Sequence, residues 1–459
     1  MKTDTIAAIA TGMSNSGIGI VRISGEQAFS VIDSIFRNRK GERVRLSLSQ
    51  SHTVHYGYIY DGDEKVDEAL VIIMKGPHSY TAEDTVEIDC HGGVLMVRRI
   101  LETVLHAGAR TAEPGEFTKR AFLNGRLDLS QAEAVADVIH ATNEYALKSS
   151  VSQLSGSVSA KIKELRSRIL YQIAFIESAL DDPEHISLDG YGSRLMDDLV
   201  PMIGEVRKLL LSADDGRVMS EGVKTVILGK PNAGKSSLMN VLLGEERAIV
   251  TEIAGTTRDT LEEHIYLQGI SLNVVDTAGI RDTEDVVEKI GVDRAMKAAR
   301  DADLIIYVVD GSCPLDENDE EILKFIKDRK AVVLLNKSDL TMEITADMLA
   351  SRTAHSVIAI SAKERVGIEL LEDEIKTMFY HGEIDFNDEV TITNVRHKNA
   401  LEQAYSSLEM VEQSIQNGMP EDFYSIDLMD AYEQLGLIIG EAVEDDLVHE
   451  IFSKFCMGK

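Results

Sequence analysis

Val223-Lys224-Thr225-Val226-Ile227-Leu228-Gly229-Lys230-Pro231-Asn232-Ala233-Gly234-Lys235-Ser236 is the stretch on which the fold of this chain turns. It opens with a short aliphatic and β-branched run. Residues 229–236 then fit G-x-x-x-x-G-K-[ST], the pattern of a strand passing through a glycine-rich loop into a helix. Glycine lets such a loop wrap until its N–H groups and the N-terminus of the following helix face a chain of phosphates. In that reading Lys235 neutralises the β and γ oxygens and the Ser236 hydroxyl ligates Mg²⁺, while Asn232, Ala233, Gly234 and Ser237 complete the cradle. Further apolar runs at 271–275, 304–309, 331–335 and 356–360 alternate with helical patterns, as a buried parallel sheet requires. The expectation for residues 218–379 is a doubly wound α/β domain of the P-loop, Ras-like type.

Other motifs follow in the order such a domain needs. Asp276-Thr277-Ala278-Gly279 ends the next apolar run, bringing a carboxylate near the metal and the Gly279 N–H near the γ-phosphate. Between the two lies Gly255-Thr256-Thr257-Arg258-Asp259, in which Thr257 can complete the Mg²⁺ shell only while a γ-phosphate holds the segment. The alternative for Thr256 and Thr257 is an ordinary pair of turn threonines. About 100 residues beyond the loop stands Asn336-Lys337-Ser338-Asp339, followed by Ser361-Ala362-Lys363. Guanine presents two adjacent N–H donors that one carboxylate accepts together and adenine has no such pair, so Asp339 selects GTP. Lys337 packs its stem over the base, and the 361–363 turn offers N–H groups to the guanine oxygen. One position departs from the Ras-like pattern: Ile280 stands where a glutamine often orients the attacking water. Arg281, Asp282, Glu284, Asp285 and Glu288 are the polar candidates for that work. No arginine finger is identifiable, and a monovalent cation or a second subunit can supply the charge instead.

Outward from this segment, 459 residues suggest two to four domains. The chain is 44% apolar yet has no run of the roughly 18 apolar residues that a membrane helix takes. Asp4 and the absence of a long apolar core make the N-terminus a poor secretory signal, so a cytoplasmic location is expected. Cys90, Cys313 and Cys456 are scattered and offer neither a disulfide framework nor a CxxC pair. A net charge of −31 is the opposite of a broad nucleic-acid footprint. Any nucleic-acid contact is therefore a local patch or is shared with a partner. Residues 381–459 hold 17 acids against 4 Lys and Arg, read either as a solvated helical face or as a docking surface for a basic partner.

Residues 1–118 mix β-branched runs at 18–23, 69–74 and 85–90 with a helix near 94–105, an α+β domain. Residues 119–217 are helical, interrupted by Pro183 and Pro201. Ile162, Leu165, Ile169, Ile173, Ile176 and Leu180 are spaced as one face. Helical spacing returns in 380–459 at Leu401, Ala404, Leu408, Val411 and Ile415 and runs on through Val443, Leu447, Ile451 and Phe455. Two helical segments flanking the α/β segment imply a domain inserted into a helical bundle.

The whole chain, beyond its P-loop segment, resembles the MnmE (TrmE) family of tRNA modification GTPases. The likeness is carried by Asp4-Thr5-Ile6-Ala7-Ala8, Gly17-Ile18-Gly19-Ile20-Val21-Arg22-Ile23-Ser24-Gly25, His91-Gly92-Gly93 and Pro114-Gly115-Glu116-Phe117. It continues through Arg120-Ala121-Phe122-Leu123-Asn124, Leu127-Asp128-Leu129, Gln131-Ala132-Glu133-Ala134 and the terminal Cys456-Met457-Gly458-Lys459. The resemblance implies a cytoplasmic homodimer that works with the FAD-binding protein MnmG. Together they would place an aminomethyl or carboxymethylaminomethyl group on C5 of the wobble uridine of certain tRNAs. The carbon would come from a 5-formyl- or methylene-tetrahydrofolate, and GTP would be hydrolysed. A flavin on the partner agrees with this sequence, in which no G-x-G-x-x-G follows a strand.

By the same resemblance, Arg22, Glu87, Arg126 and Lys459 contact the folate, although the family often has lysine in place of Arg126. Asn232, Thr251, Ile253 and Thr256 hold a potassium ion where an arginine finger is lacking. Glu288 positions the water, and Cys456 is a candidate nucleophile or acid–base group in the modification step. Read from composition alone, Cys456 is a small apolar residue beside Phe452 and Phe455. Two other readings share the P-loop: a regulatory GTPase switch in ribosome or RNA assembly without carbon chemistry, and a scaffold with a vestigial GTPase. Base reading by Asp339 has a direct test. Asp339→Asn moves nucleotide preference from GTP towards XTP, because an amide N–H meets the guanine donors. Equal GTP affinity in the variant and the parent, measured by titration, contradicts that role.

Overall fold

The computed structural model describes residues 4–141, 143–244, 262–267, 270–275, 299–379, 390–441, 451, 452, 455 and 458. The chain divides into two compact units. One comprises Met1–His140, Ser150–Lys208 and Arg396–Lys459, the other Ala141–Ser149 and Leu209–Val395.

In the first unit, seven strands form one sheet: β1 (Ile6–Ile9), β2 (Ile18–Ser24), β3 (Phe36–Asn38), β4 (Thr53–Asp61), β5 (Glu64–Met74), β6 (Thr85–His91) and β7 (Arg110–Thr111). Their order is β3-β4-β5-β6-β2-β1-β7, antiparallel apart from the β1–β7 pair. Ala69, Val71 and Ile73 on β5 alternate with more exposed residues, the two-residue period of a strand with one buried face. That face joins Val86, Ile88, Val21 and Ile23 in a core closed by Ile32 of α1 (Ala28–Ile35) and by Ile100 and Val104 of α2 (Val94–His106). The register sets Arg22 opposite Glu87.

The helical part of this unit contains α3 (Glu116–Leu123), α4 (Leu129–His140), the end of α5 (Glu144–Leu154), α6 (Ser157–Asp181), the start of α7 (Tyr191–Glu221), and the helices Val395–Gln416 and Glu421–Ile439. Ile162, Leu165, Ile169, Ile173 and Ile176 are buried as their spacing implies, but Leu180 is 50% exposed while Ala179 is buried. The stripe rotates near the end of α6. Tyr191 of α7 packs on the preceding turns, its ring stacked 4.9 Å from that of Phe175 and its hydroxyl 2.8 Å from Gln172 Oε1, whereas Leu180 stands exposed in the last turn of α6. Pro201 likewise departs from expectation, lying inside α7 rather than interrupting it. A proline costs its helix one N–H bond. Here the loss falls on the exposed side, while Leu195, Leu199, Met202 and Val206 bury the other.

The second unit is built on a six-stranded sheet: β8 (Val223–Gly229), β9 (Glu262–Leu267), β10 (Ile270–Val275), β11 (Leu304–Asp310), β12 (Ala331–Asn336) and β13 (Ser356–Ala359). The order is β13-β12-β11-β8-β10-β9, parallel throughout except for β9, which pairs antiparallel with β10. Apolar layers lie on both faces. Leu238 and Leu242 of α8 (Lys235–Leu243) and Leu371 and Ile375 belong to one, and Ile322, Ile326 and Leu349 to the other. This is the doubly wound P-loop architecture expected from the apolar runs, with β9 as an added edge. Among the described residues no helix is long and apolar enough to cross a membrane.

An ionic cluster ties the returning chain to α4. Glu133 accepts Arg396 Nε at 2.9 Å and His397 Nε2 at 2.8 Å, and all but 7% of its surface is buried. Burial pushes its carboxyl up, but the His397 and Arg396 hydrogen bonds outweigh that and hold it at about 2, below the ordinary 4.5. A depressed folded-state value gives stability that is fully present above about pH 4.5 and lost as the pH falls towards about 2. The urea midpoint of the parent therefore drops across this window, and Glu133→Gln flattens that part of the profile. Parallel profiles for the two proteins contradict the assignment.

Candidate functional site

β8 ends at Gly229, whose φ of +153° lies at the limit of the region favouring glycine, and a Cβ there would meet Val308 O at 2.5 Å. The loop passes through Asn232, left-handed at φ +63°, and reaches Gly234 at φ +102°, the N-cap of α8. A side chain at Gly234 is doubly excluded, by φ and by Asn336 Nδ2, which an added Cβ would approach to 2.1 Å. No acid stands in the first turn of α8 and no side chain caps it, so the positive end of the helix dipole is uncompensated there. Ser236 and Ser237 are exposed on that turn. Lys235 Nζ donates to Gly229 O at 2.7 Å and Lys230 O at 2.8 Å, and burial lowers its ammonium below the ordinary lysine range. This arrangement can receive an anion at the helix N-terminus with a lysine beside it and a hydroxyl available to a hard cation.

The buried Asn336 side chain, at the end of β12, joins this loop to the 361–363 turn. Its Nδ2 donates to Ala233 O at 2.8 Å, and its Oδ1 accepts the Ala362 N–H at 3.0 Å. Sequence reasoning grouped Asn336 with the base-reading residues and missed this bracing role. Lys337 has φ +67° and sets Nζ 2.5 Å from Asp310 Oδ2 at the end of β11. Asp310 was also missed, although an acid closing an apolar run beside Gly311-Ser312 was the available signal. Burial raises its carboxyl, but the hydrogen bonds of Lys337 and Ser312 prevail and keep it below the usual range. Asp339 is exposed and accepts Ser361 Oγ at 2.6 Å, the chief reason its carboxyl also stays low. Lys363 is exposed on the same turn. The ends of β8, β11 and β12 thus bring Asn232 to Ser237 together with residues 336–339 and 361–363.

A second constellation lies in the first unit. Arg22 Nε is 2.7 Å from Glu87 Oε1, and Arg22 Nη1 is 3.3 Å from Gly458 O. The guanidinium groups of Arg22 and Arg126 sit 5.1 and 5.0 Å from the centre of the Tyr80 ring. Tyr80, Arg126, Leu127, Gln131, Val135 and Leu154 line a cleft of about 390 Å³. Beyond Glu87 on the same strand face, Asp89 buries an Oδ1 with no hydrogen-bond partner among the described residues, and burial followed by Glu87 raises its carboxyl. The structure therefore brings Arg22, Glu87 and Arg126 to one place, next to the penultimate residue of the chain. Tyr80 and Asp89 were not singled out from the sequence, where an isolated tyrosine and a strand acid give no signal.

Thr251, Ile253, Thr256, Thr257, Asp276, Thr277, Ala278, Gly279, Ile280, Glu288, Cys456 and Lys459 lie outside the described residues, as do Arg281, Asp282, Glu284 and Asp285. β10 ends at Val275, one residue before Asp276. Phe452 and Phe455, which precede Cys456 in sequence, are buried with ring centres 5.2 Å apart.

A family model described as "MnmE helical domain" matches residues 129–456, and one described as "GTP-binding protein TrmE N-terminus" matches residues 5–126. A tRNA modification GTPase MnmE of Lachnoclostridium phytofermentans is 62% identical over 459 residues, covering 100% of both chains. Proteins of the same name from Acetivibrio thermocellus and Clostridioides difficile are 47% and 48% identical, covering 100% and 99% of both chains respectively.

The bracing amide yields a stability prediction. Asn336→Ala leaves the Ala233 carbonyl and the Ala362 N–H without their partner, a cost of about 2–4 kcal/mol for two buried polar groups. Chemical unfolding followed by hydrogen exchange in β8 and β12 reads that loss. A change below about 0.5 kcal/mol, the range of an ordinary surface substitution, contradicts the brace.

Proposed function

The chain belongs to the MnmE family of tRNA modification GTPases, and from that premise we propose that it hydrolyses GTP on the loop between β8 and α8 and uses the cycle in modifying tRNA. The observation that carries the reading is the acid-free N-terminus of α8, held by Asn336 beside the two loops that begin at Lys337 and Ser361. In this assignment Lys235 exchanges its two carbonyl partners for phosphate oxygens, while the N–H groups of residues 232–237 surround the phosphates. Asp339 accepts the paired guanine donors, and Lys337, aimed by Asp310, covers the base.

Ser236 with Thr257 would hold Mg²⁺, with Asp276 nearby, and the exposed hydroxyl on an acid-free turn suits a hard cation and a triphosphate. The ion would offset charge on the phosphates. Thr277, Ala278 and Gly279 belong beside the outermost phosphate, and Glu288 is assigned to orient water where Ile280 cannot. Asn232, Thr251, Ile253 and Thr256 are the proposed potassium ligands, in a site completed when two such domains meet.

For the first unit we assign Arg22, Glu87, Arg126 and Lys459 to a tetrahydrofolate one-carbon donor. Two arginines at one aromatic ring, with Arg126 lining an apolar cleft, suit a molecule with carboxylates at one end and a flat heterocycle at the other. Cys456 is placed with this chemistry. The wider proposal is a cytoplasmic homodimer acting with an MnmG-type FAD protein on the wobble uridine of tRNA, within a helical bundle into which the domain at 218–379 is inserted.

Mass spectrometry of tRNA anticodons tests the assignment. Cells lacking the protein accumulate unsubstituted wobble uridine, and the modification returns with the parent chain but not with Ser236→Ala or Arg22→Ala. Normal wobble uridine in the deletion strain removes the tRNA role. Full rescue by Arg22→Ala removes the folate assignment.

A further inference from the structure

Lys230, the second residue of the phosphate loop, has no part in the roles above. Its ammonium lies 2.6 Å from Asp319 Oδ2 and 2.9 Å from Asp316 Oδ2. These two acids start the helix Glu317–Ile326, with Asp316 at the N-cap and Asp319 three residues on, and each accepts the other's main-chain N–H in a capping box. Asp319 is 1% exposed, and its Oδ1 takes a 2.7 Å hydrogen bond from the hydroxyl of Tyr307, which is fully buried on β11. An acid in the first turn of a helix needs no lysine to justify it. A carboxylate buried to this degree does need a counter-charge, and among the described residues Lys230 provides it.

The main chain of the same residue faces the other way. The Lys230 carbonyl accepts Lys235 Nζ at 2.8 Å and the Ala233 N–H at 3.3 Å. One residue therefore links a buried carboxylate on the helix to the carbonyl where the phosphate-binding lysine rests. Asn336 fixes the far end of the loop through Ala233 O, and Lys230 fixes its near end.

We propose that Lys230 is a positioning residue for nucleotide binding: its ion pair with Asp319 clamps the start of the phosphate loop to the helix Glu317–Ile326 and thereby sets where Lys235 stands relative to the N-terminus of α8. The inference rests on the GTP reading and deepens it. A loop pinned at both ends presents its N–H groups without ordering cost on binding, and releasing one end makes the nucleotide bear that cost.

The test is a double-mutant cycle in the full chain, with Lys230→Met, Asp319→Asn and the double variant. GTP affinity is followed by fluorescent nucleotide titration beside the melting temperature. Asp319→Asn keeps an acceptor for Tyr307 while removing the charge. The double variant leaves no unpaired buried carboxylate, so it reports even where Lys230→Met alone folds poorly. Each single change weakens GTP binding about tenfold, the double change is no worse than either, and Lys230→Arg restores affinity to within about threefold. Affinity within twofold of the parent in all variants overturns the proposal, whatever happens to the melting temperature, and so does an additive loss near a hundredfold. A parent chain that takes up no GTP is a different failure, that of the nucleotide reading itself.

Discussion

One buried carboxamide holds the nucleotide-binding half of this protein in register. Asn336 spends its N–H on the carbonyl of Ala233 and its oxygen on the N–H of Ala362, so the phosphate loop and the 361–363 turn are fixed to the end of the same strand. The constraint propagates through sterics. Gly234 must be glycine because Asn336 occupies the space of a Cβ, and its positive φ points the first N–H groups of α8 into the loop. Lys337 follows Asn336 in the left-handed region and finds Asp310, and two residues later Asp339 is tied to Ser361. The N-terminus of α8 and the loop from Lys337 to Asp339 are thus spaced by strand geometry, with little left to flexible side chains.

The electrostatics are local rather than global. A chain with a formal charge of −31 builds its anion-facing surfaces by keeping acids away from one helix N-terminus and by committing nearby carboxylates to fixed cations, Asp310 to Lys337 and Asp319 to Lys230. The N-terminal sheet does the same with other residues, pairing Arg22 with Glu87 across two strands while Arg22 and Arg126 both approach the Tyr80 ring. In both places an arginine or lysine is oriented by a neighbouring carboxylate and packing, which limits the conformational freedom left to the charged group.

What could be read from the sequence was what short-range chemistry dictates. The apolar runs became β8, β10, β11, β12 and β13 because a buried parallel strand has no polar face to hide, and the glycine pattern marked the loop because its φ values demand it. Side chains whose role is fixed by distant partners were not legible. The bracing role of Asn336 shows only once Ala233 and Ala362 are beside it, and Tyr80 acquires meaning only with two arginines at its ring. Pro201 stays inside α7 because its exposed side can lose a hydrogen bond, and Leu180 leaves the buried stripe in the last turn of α6, where helical spacing alone places it with Ile173 and Ile176. β9 was missed because its burial, at Ile265 and Leu267, alternates too briefly to stand out. The membership of Ala141–Ser149 in the same unit as the six-stranded sheet also leaves no trace in its composition.

The central claim is that the spacing between the α8 N-terminus and the Asn336–Asp339 loop is that of a guanine nucleotide. Isothermal titration of the full chain in Mg²⁺ with GTP and, separately, with ATP measures it most directly. The account predicts saturable binding of one GTP per chain and no detectable heat of binding from ATP at the same concentrations. Equal affinity for the two, or no uptake of GTP, contradicts it.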